Sequence, residues 1–416
     1  MAFIKRKIEP QIWDHLTKKE ISLIVGPRQA GKTTLLHLIQ KRLQRENTPS
    51  LFLNLDVERH SEFFTSQDTL LQKISLELPQ KKGVVFIDEI QRKENAGLFL
   101  KGIYDMNIGY KFVVSGSGSL ELKESIHESL AGRKRIFELY PISFEEFLHY
   151  RTEYRYEDRL REYCSVEKSG IRQLLTEYLT YGGFPRVVLE QTDNEKRQLM
   201  DEIYRSYIEK DIVYLININR PDAFSRLMKL LAAQIGTPLN YNQLASDTGL
   251  SVPTVKRYLW YAERTFSVKL VTPYFTNKRK EITKSPVVYF IDLGLRNYIT
   301  GSFGQLTISR ESAMQFQNFI YVLLVEFFAA AGGSIHFWRT LDKAEVDFVI
   351  DLKRKLLPVE VKYSSLRKPT ISRSFRSFIG KYKPDEGWVV NLDYEEEVRI
   401  NSTVVRFIPF FRLLEK

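Results

Sequence analysis

The 416-residue sequence predicts an α/β fold: a parallel-sheet unit at the amino terminus, then a helical segment, a three-helix unit with a hairpin, and a second α/β unit. Three observations predict it. Short apolar runs alternate with helical patterns over residues 20–140. A glycine-bearing loop joins the first run to its helix, and the chain is longer than one core usually fills.

The five runs are Ile21 to Val25, Leu51 to Leu55, Val84 to Asp88, Lys111 to Ser115 and Ile136 to Tyr140. Continuous apolar strands interleaved with helices imply a parallel sheet covered on both faces. Directly after the first run comes Gly26-Pro27-Arg28-Gln29-Ala30-Gly31-Lys32-Thr33, followed by Thr34 and the helical spacing Leu35, Leu38, Ile39, Leu43. This matches GxxxxGK(S/T) in the strand, loop, helix context that the motif requires. Gly26 and Gly31 allow backbone N–H groups to curl around phosphate oxygens at a helix N-terminus. Lys32 is expected to reach the β and γ phosphates of ATP, and Thr33 to offer its hydroxyl to Mg2+.

The run Val84-Val-Phe-Ile-Asp88-Glu89 supplies the acidic partner. Asp88, at the end of a buried strand, suits the magnesium shell; Glu89 is placed to polarise the attacking water. The next strand runs into Ser115-Gly-Ser117-Gly-Ser119, where Ser115 or Ser117 senses the γ phosphate, or the segment is a flexible loop. Arg133 and Arg135 precede the fifth strand, either as a solvated basic turn or, for Arg133, as an arginine finger reaching a neighbouring subunit's nucleotide. The finger reading implies a homo-oligomer.

Composition narrows the class. Hydrophobic residues at 43% and charged residues at 27% are globular values, without repeats or low-complexity tracts. One cysteine, Cys164, excludes an internal disulfide and a multi-cysteine zinc site, and fits a reducing compartment. The amino terminus alternates charged with apolar residues, and the longest apolar run, Phe319 to Ala331, is broken by Glu326 and too short for a bilayer. A cytoplasmic protein without membrane contact is expected. The excess of 62 basic over 51 acidic residues, net +11, favours polyanions, though local placement decides.

These residues carry a resemblance. The stretches Gly26 to Thr34, Phe86-Ile-Asp-Glu-Ile-Gln91, Ala131-Gly-Arg133, Leu139-Tyr-Pro-Ile-Ser-Phe-Glu-Glu-Phe147, Tyr181-Gly-Gly-Phe-Pro185, Tyr289-Phe-Ile-Asp-Leu-Gly-Leu295 and Glu345-Val-Asp-Phe348 span nearly the whole chain. The chain resembles AAA+ type ATPases of the bacterial and archaeal family with a winged helix and a restriction-endonuclease-like C-terminal domain. The resemblance implies a P-loop parallel-sheet ATPase domain (1–140), a helical lid (141–221), a winged-helix domain (222–300) and an α/β restriction-endonuclease-like domain (301–416). It names an architecture better than a process.

The middle of the chain supports this order. Residues 141–219 are helical, charged and aromatic, with a Gly182-Gly183 break, and read as a lid or a plain helical linker. Leu227 to Ile235, Tyr241 to Thr248 and Val252 to Phe266 form three helices, with Gly249 and Ser251 at the tight turn. Ser251 is an N-cap, Pro253 suits the first turn, and Val255, Leu259 and Ala262 face a core. That leaves Thr254, Lys256, Arg257 and Tyr261 outward, as on a helix that enters a major groove. Strands Lys269 to Phe275 and Val287 to Ile291 flank a basic hairpin whose Lys278, Arg279 and Lys280 suit phosphates, although such units also dock proteins.

The last quarter reads as an apolar-striped helix over residues 311–331, then two strands, Glu345-Val-Asp347-Phe-Val-Ile350 and Leu357-Pro-Val-Glu360-Val-Lys362-Tyr363. Period-two geometry puts Glu345 with Asp347, and Glu360 with Lys362, on single faces. Asp347 and Glu360 suit a shared divalent metal, with Lys362 steadying nucleophile or phosphate. This resembles the PD-(D/E)xK nucleases. Where that family carries a helical glutamate, this chain has Gln317 in Phe316-Gln-Asn-Phe319, which removes one negative charge; Glu345 or Asp342 are the carboxylates that could replace it. The combined expectation is an ATP-hydrolysing protein using Mg2+ and acting on duplex or branched DNA, with cleavage by the last domain in doubt. An ATP-regulated nuclease and a nucleotide-switched protein-docking scaffold stand as alternatives.

Overall fold

In the computed structural model, residues 3–80, 82–117, 130–208, 212–213, 220–276, 284–305, 310–340, 342, 344–353 and 355–414 are described. The amino-terminal strands are β1 (Ile21–Gly26), β2 (Ser50–Asn54), β3 (Val84–Asp88), β4 (Lys111–Ser117) and β5 (Lys134–Glu138). They form a parallel sheet in the order β2-β3-β4-β1-β5. β1, β3 and β4 are buried along their whole length, because helices cover both faces. Helices Glu9–His15 and Lys32–Arg45 pack Ile12, Leu36 and Ile39 against Ile24, Phe86 and Val113. Helices Gln67–Glu77 and Ala96–Asp105 pack Leu70, Ile74 and Leu100 on the other face.

All five predicted strands exist. The fifth begins two residues earlier than its apolar run and ends at Glu138, since it is an edge strand with mostly partly exposed residues. The fourth runs on to Ser117, which lies beside Gly26 in the β1–β4 register. The P-loop, Asp88 and Ser117 therefore share the carboxyl-terminal edge of the sheet.

Helices Phe144–Arg151, Leu160–Val166, Lys168–Tyr181, Pro185–Leu189 and Asp193–Ser206 follow. Next come helices Pro221–Ala233, Tyr241–Thr248 and Val252–Arg264, with an antiparallel pair of strands, β6 (Val268–Val271) and β7 (Val287–Phe290). The Ser251 hydroxyl accepts the Thr254 N–H at 3.3 Å, and Val255, Leu259 and Ala262 are buried as the spacing predicts. Tyr258 is buried as well, packing 5.6 Å from Phe224.

The carboxyl-terminal unit is a larger sheet than the two strands read from sequence. β8 (Ser334–Arg339), β9 (Glu345–Asp351), β10 (Leu356–Val361), β11 (Glu386–Asn391), β12 (Glu396–Ile400) and β13 (Thr403–Pro409) lie in the order β12-β13-β11-β10-β9-β8. β8–β9 and β9–β10 are antiparallel, whereas β10–β11 and β11–β13 are parallel. Helix Arg310–Phe328 packs on one face and helix Arg373–Tyr382 on the other.

The cores do not follow chain order. One joins Ile142 to Val188 with Phe316 to Leu414 and with Val287 and Tyr289. Another joins Phe184 to Ile212 with the three-helix unit and with Leu295 to Phe303. The helical segment after the first sheet is thus shared between its two successors.

Candidate functional site

The loop after β1 turns sharply because its glycines have no alternative. A Cβ on Gly26 would lie 2.0 Å from the Leu139 carbonyl oxygen, and Gly31 has φ +94°, a conformation L side chains rarely adopt. Gly31 is the N-cap of helix Lys32–Arg45, so the loop delivers its amides to a helix N-terminus. Lys32 is buried, and its ammonium donates to the Gly26 and Pro27 carbonyls at 3.0 and 2.8 Å, which holds it inside the curl.

Asp88 is fully buried at the end of β3. Its Oδ2 accepts from Thr33 Oγ1 at 2.7 Å and from Asn54 Nδ2 at 3.4 Å; its Oδ1 accepts from the Ser115 hydroxyl. The predicted pair for a metal shell, Thr33 and Asp88, is therefore in contact, and of the two serines it is Ser115 that touches Asp88. The Ser117 hydroxyl is buried and has no hydrogen-bond partner among the described residues. Glu89 adopts a left-handed conformation, φ 58°, unusual for a non-glycine residue. Its carboxylate accepts from Gln91 Nε2, while Gln91 Oε1 accepts the Ser117 N–H at 3.2 Å. Gln91 thus bridges the two residues.

A cavity of about 560 Å³ opens beside the loop, lined by Arg28, Gln29, Gly31 to Leu35, Glu89 and, from outside the sheet, Phe3, Arg6, Pro185 and Arg186. Sequence reasoning missed these outside contributors. Arg6 is buried; it donates to the Ala30 carbonyl at 2.8 Å, to the Tyr140 carbonyl at 2.5 Å and to the Glu146 carboxylate at 3.2 Å. Glu146 closes a capping box with Ser143, and the Ser-x-x-Glu spacing was the one local signal for it. Arg186 donates to Gln29 Oε1 at 3.2 Å and to Glu202 at 2.9 Å, tying the loop to the following helices.

The other predicted residues lie elsewhere. Arg133 sits just before β5, where its carbonyl accepts the Ile21 N–H. That is the opposite edge of the sheet from the P-loop, and its guanidinium pairs with Asp105 at 2.8 Å. It cannot serve its own chain's loop from there. Lys256 is exposed with its ammonium over the Tyr241 ring at 5.0 Å, and Arg257 is exposed beside it. Lys278, Arg279 and Lys280 fall outside the described residues. Burial pushes the Cys164 thiol up to about 12, which makes it an inert core residue.

In the carboxyl-terminal unit, Val359 pairs with Phe348, so one step further along the ladder sets Glu360 opposite Asp347. Gln317 joins them from helix Arg310–Phe328, its Nε2 donating to Asp347 Oδ1 at 3.1 Å and to the Tyr289 hydroxyl at 3.0 Å. With Asp347 ionised, the amide presents its NH2 end, because a carboxylate offers only acceptors. Asp347 Oδ2 also accepts the Val361 N–H at 2.7 Å. Glu360 is paired with Lys362 at 2.6 Å and accepts the Ser372 hydroxyl at 3.1 Å. Burial, reinforced by the Glu360 and Glu345 charges, pushes the Asp347 carboxyl up to about 7. Glu345 leans instead toward Arg339, 3.6 Å away. Gln317, Asp347, Glu360 and Lys362 thus lie together, with the Gln317 and Lys362 donors directed at the two carboxylates.

Fold and loop together define a P-loop protein. Comparison with known proteins agrees: residues 18–148 match the family described as AAA domain. Residues 172–306 and 314–412 match two families described as domains of unknown function, DUF8612 and DUF4143. Relatives include an uncharacterized protein of Methanocaldococcus jannaschii, 25% identical over 95% of this chain and 88% of its own length. Another, from Mycobacterium tuberculosis, is 27% identical over 91% of this chain and 77% of its own. A third, from Haemophilus influenzae, is 26% identical over 82% of each. Among solved structures, the ADP form of the Aeropyrum pernix ORC2 protein aligns with TM-score 0.35 at 12% identity, covering 72% of this chain and 93% of that one. That likeness is too loose to carry function.

Proposed function

We propose that the chain hydrolyses ATP and uses the nucleotide state to control contact with DNA. The observation that carries this reading is the Thr33–Asp88 contact at 2.7 Å, with Ser115 on the other carboxylate oxygen and Glu89 lining the adjoining cavity. These residues fit a nucleotide with its magnesium: Gly31 and the loop amides for phosphate, Lys32 for its charge, Thr33 and Asp88 for the cation. Bound magnesium supplies neutralisation of the charge that develops on the phosphates. Glu89 orients a water, and Gln91 sets where its carboxylate lies.

The reading of the middle helices as a winged helix rests on three helices followed by an antiparallel strand pair, with Lys256 and Arg257 outward. The carboxyl-terminal cluster does not fit a divalent metal. Among the described residues no group of three His, Cys, Asp or Glu converges there, and Gln317 and Lys362 already occupy its two carboxylates. We infer a restriction-endonuclease-like scaffold that does not cut. For trans action by Arg133 an assembly of several copies is required, in which the Asp105 pair gives way to a neighbour's phosphate.

The test is ATP turnover and nucleotide affinity of Lys32→Ala and Glu89→Gln. Lys32→Ala is expected to lose tight nucleotide binding. Glu89→Gln is expected to keep it and to lose about 10²–10⁴-fold in turnover. Normal turnover by Glu89→Gln would remove Glu89 from its assigned role.

A further inference from the structure

We propose that helix Arg373–Tyr382 and the loop before it form a face for the phosphate backbone of duplex DNA. Residues 361–384 contain seven Lys or Arg and no Asp or Glu; of the seven, Lys362 is paired with Glu360 just outside the segment. Arg367, Lys368, Arg373, Arg376, Lys381 and Lys383 are all exposed. Arg367, Lys368, Arg373, Arg376 and Lys383 form no ion pair among the described residues, whereas Arg406 and Arg412, elsewhere in the same unit, are matched to Glu386, Glu397 and Glu395. A run of unneutralised cations on one helix and its flanking residues is costly self-repulsion unless a polyanion covers it.

The structure narrows the partner. The apolar side of this helix, Phe375, Phe378 and Ile379, is buried against Trp338, Val349 and Val389 of the sheet. It therefore has no hydrophobic side chains left to insert into a lipid surface. The exposed side carries no aromatic ring for stacking unpaired bases, which single-strand binders use. Between Arg376 and Lys381 the exposed positions are Ser377 and Gly380, and a Cβ on Gly380 would meet nothing within 4 Å. No internal contact demands that glycine, and a helix-interior glycine costs about 1 kcal/mol relative to alanine; a closely approaching backbone accounts for it. The helix begins at the carboxylate cluster, since its N-cap Ser372 donates to Glu360. DNA held here would pass beside the scaffold that we infer does not cut.

This inference rests on the DNA reading above but concerns different residues, so the two can fail separately. The experiment measures binding of the full chain to a labelled 30-base-pair duplex, to the same sequence single-stranded, and to anionic vesicles, between about 50 and 200 mM salt. The variants are Arg367→Ala/Lys368→Ala/Arg373→Ala/Arg376→Ala and Arg373→Lys/Arg376→Lys, with basal ATP turnover as the check on folding. The quadruple variant is expected to bind duplex at least tenfold more weakly at about 100 mM salt, with a salt slope lower by about three to four units. The lysine variant is expected to keep binding. Unchanged affinity and slope in the quadruple variant, with wild type binding duplex, would overturn this face and leave Lys256 and Arg257 as the contact. No duplex binding by wild type would overturn both readings. Tighter binding to single strands or to vesicles than to duplex would overturn the assigned partner.

Discussion

Two side chains with amide termini, Gln91 and Gln317, decide what carboxylates can do. Gln91 faces Glu89 with its NH2 end and the Ser117 N–H with its oxygen, so an acceptor and a donor are each met by their complement. Gln317 meets Asp347 in the same way, but here the effect is to occupy a carboxylate that a metal would need. Asp347 also yields a pH prediction. Its folded-state carboxyl is raised to about 7 from the ordinary 3.8, chiefly by burial. Between those values the folded chain holds a proton that the unfolded chain has lost, so stability falls as pH rises through the window and levels off above it. Urea midpoints of wild type are expected to drop from pH 5 to pH 8, and Asp347→Asn to lose part of that drop. Asp292, raised to about 6 by burial, adds to the drop, whereas His15, lowered from 6.5 to about 4 chiefly by burial, opposes it at the acid end of the window. Identical pH slopes for the two proteins would show that Asp347 does not titrate as assigned.

At the scale of elements, the informative junction is where the segment Tyr181-Gly182-Gly183 meets helix Leu293–Thr300. Asp292 is buried; it caps that helix through the Leu295 N–H at 2.7 Å and reaches back to the Gly183 N–H at 2.6 Å. The approach is too close for side chains: a Cβ on Gly294 would lie 2.0 Å from the Tyr181 carbonyl oxygen, and one on Gly182 would lie 2.4 Å from Asp292 Oδ1. Pro185 and Arg186, which line the nucleotide cavity, follow directly. The junction therefore connects the cavity wall to the three-helix core. Gly294→Ala is expected to destabilise the protein by about 1–3 kcal/mol through overpacking, read from denaturant midpoints. A midpoint equal to wild type would mean that the two segments separate without cost.

Over the whole molecule, the nucleotide cavity lies where the first sheet meets helices that belong to the other two cores. Arg6 fixes this meeting by joining the P-loop to Glu146, and Phe144 and Phe147 on the Glu146 helix pack into the core of the carboxyl-terminal unit. A change at the nucleotide has a packed route to both successors. Arg133 faces away from that cavity, paired with Asp105 at the surface, and an exposed pair of this kind contributes little and exchanges readily. If copies assemble so that Arg133 meets a neighbour's nucleotide, mixing inactive Lys32→Ala with inactive Arg133→Ala is expected to restore part of the turnover. With subunit exchange verified, no recovery at any ratio would remove Arg133 from trans catalysis.

Local pattern sufficed for the parallel strands, the P-loop, Asp88, the Ser251 cap and the Asp347/Glu360/Lys362 hairpin, because each depends on residues within a turn or two of one another or on period-two alternation. The sequence by itself also contained the anion-free run at residues 361–384. It could not show that the run's apolar side is buried and its cations left outward. Only the tertiary structure decided which distant residues meet: Arg6 with Ala30 and Glu146, Gln317 with Asp347, Gly183 with Asp292. Those pairs are separated by 24 to 140 residues, and no periodicity spans such distances. Burial couples them, because a buried donor or acceptor must find its partner wherever the packed chain places one.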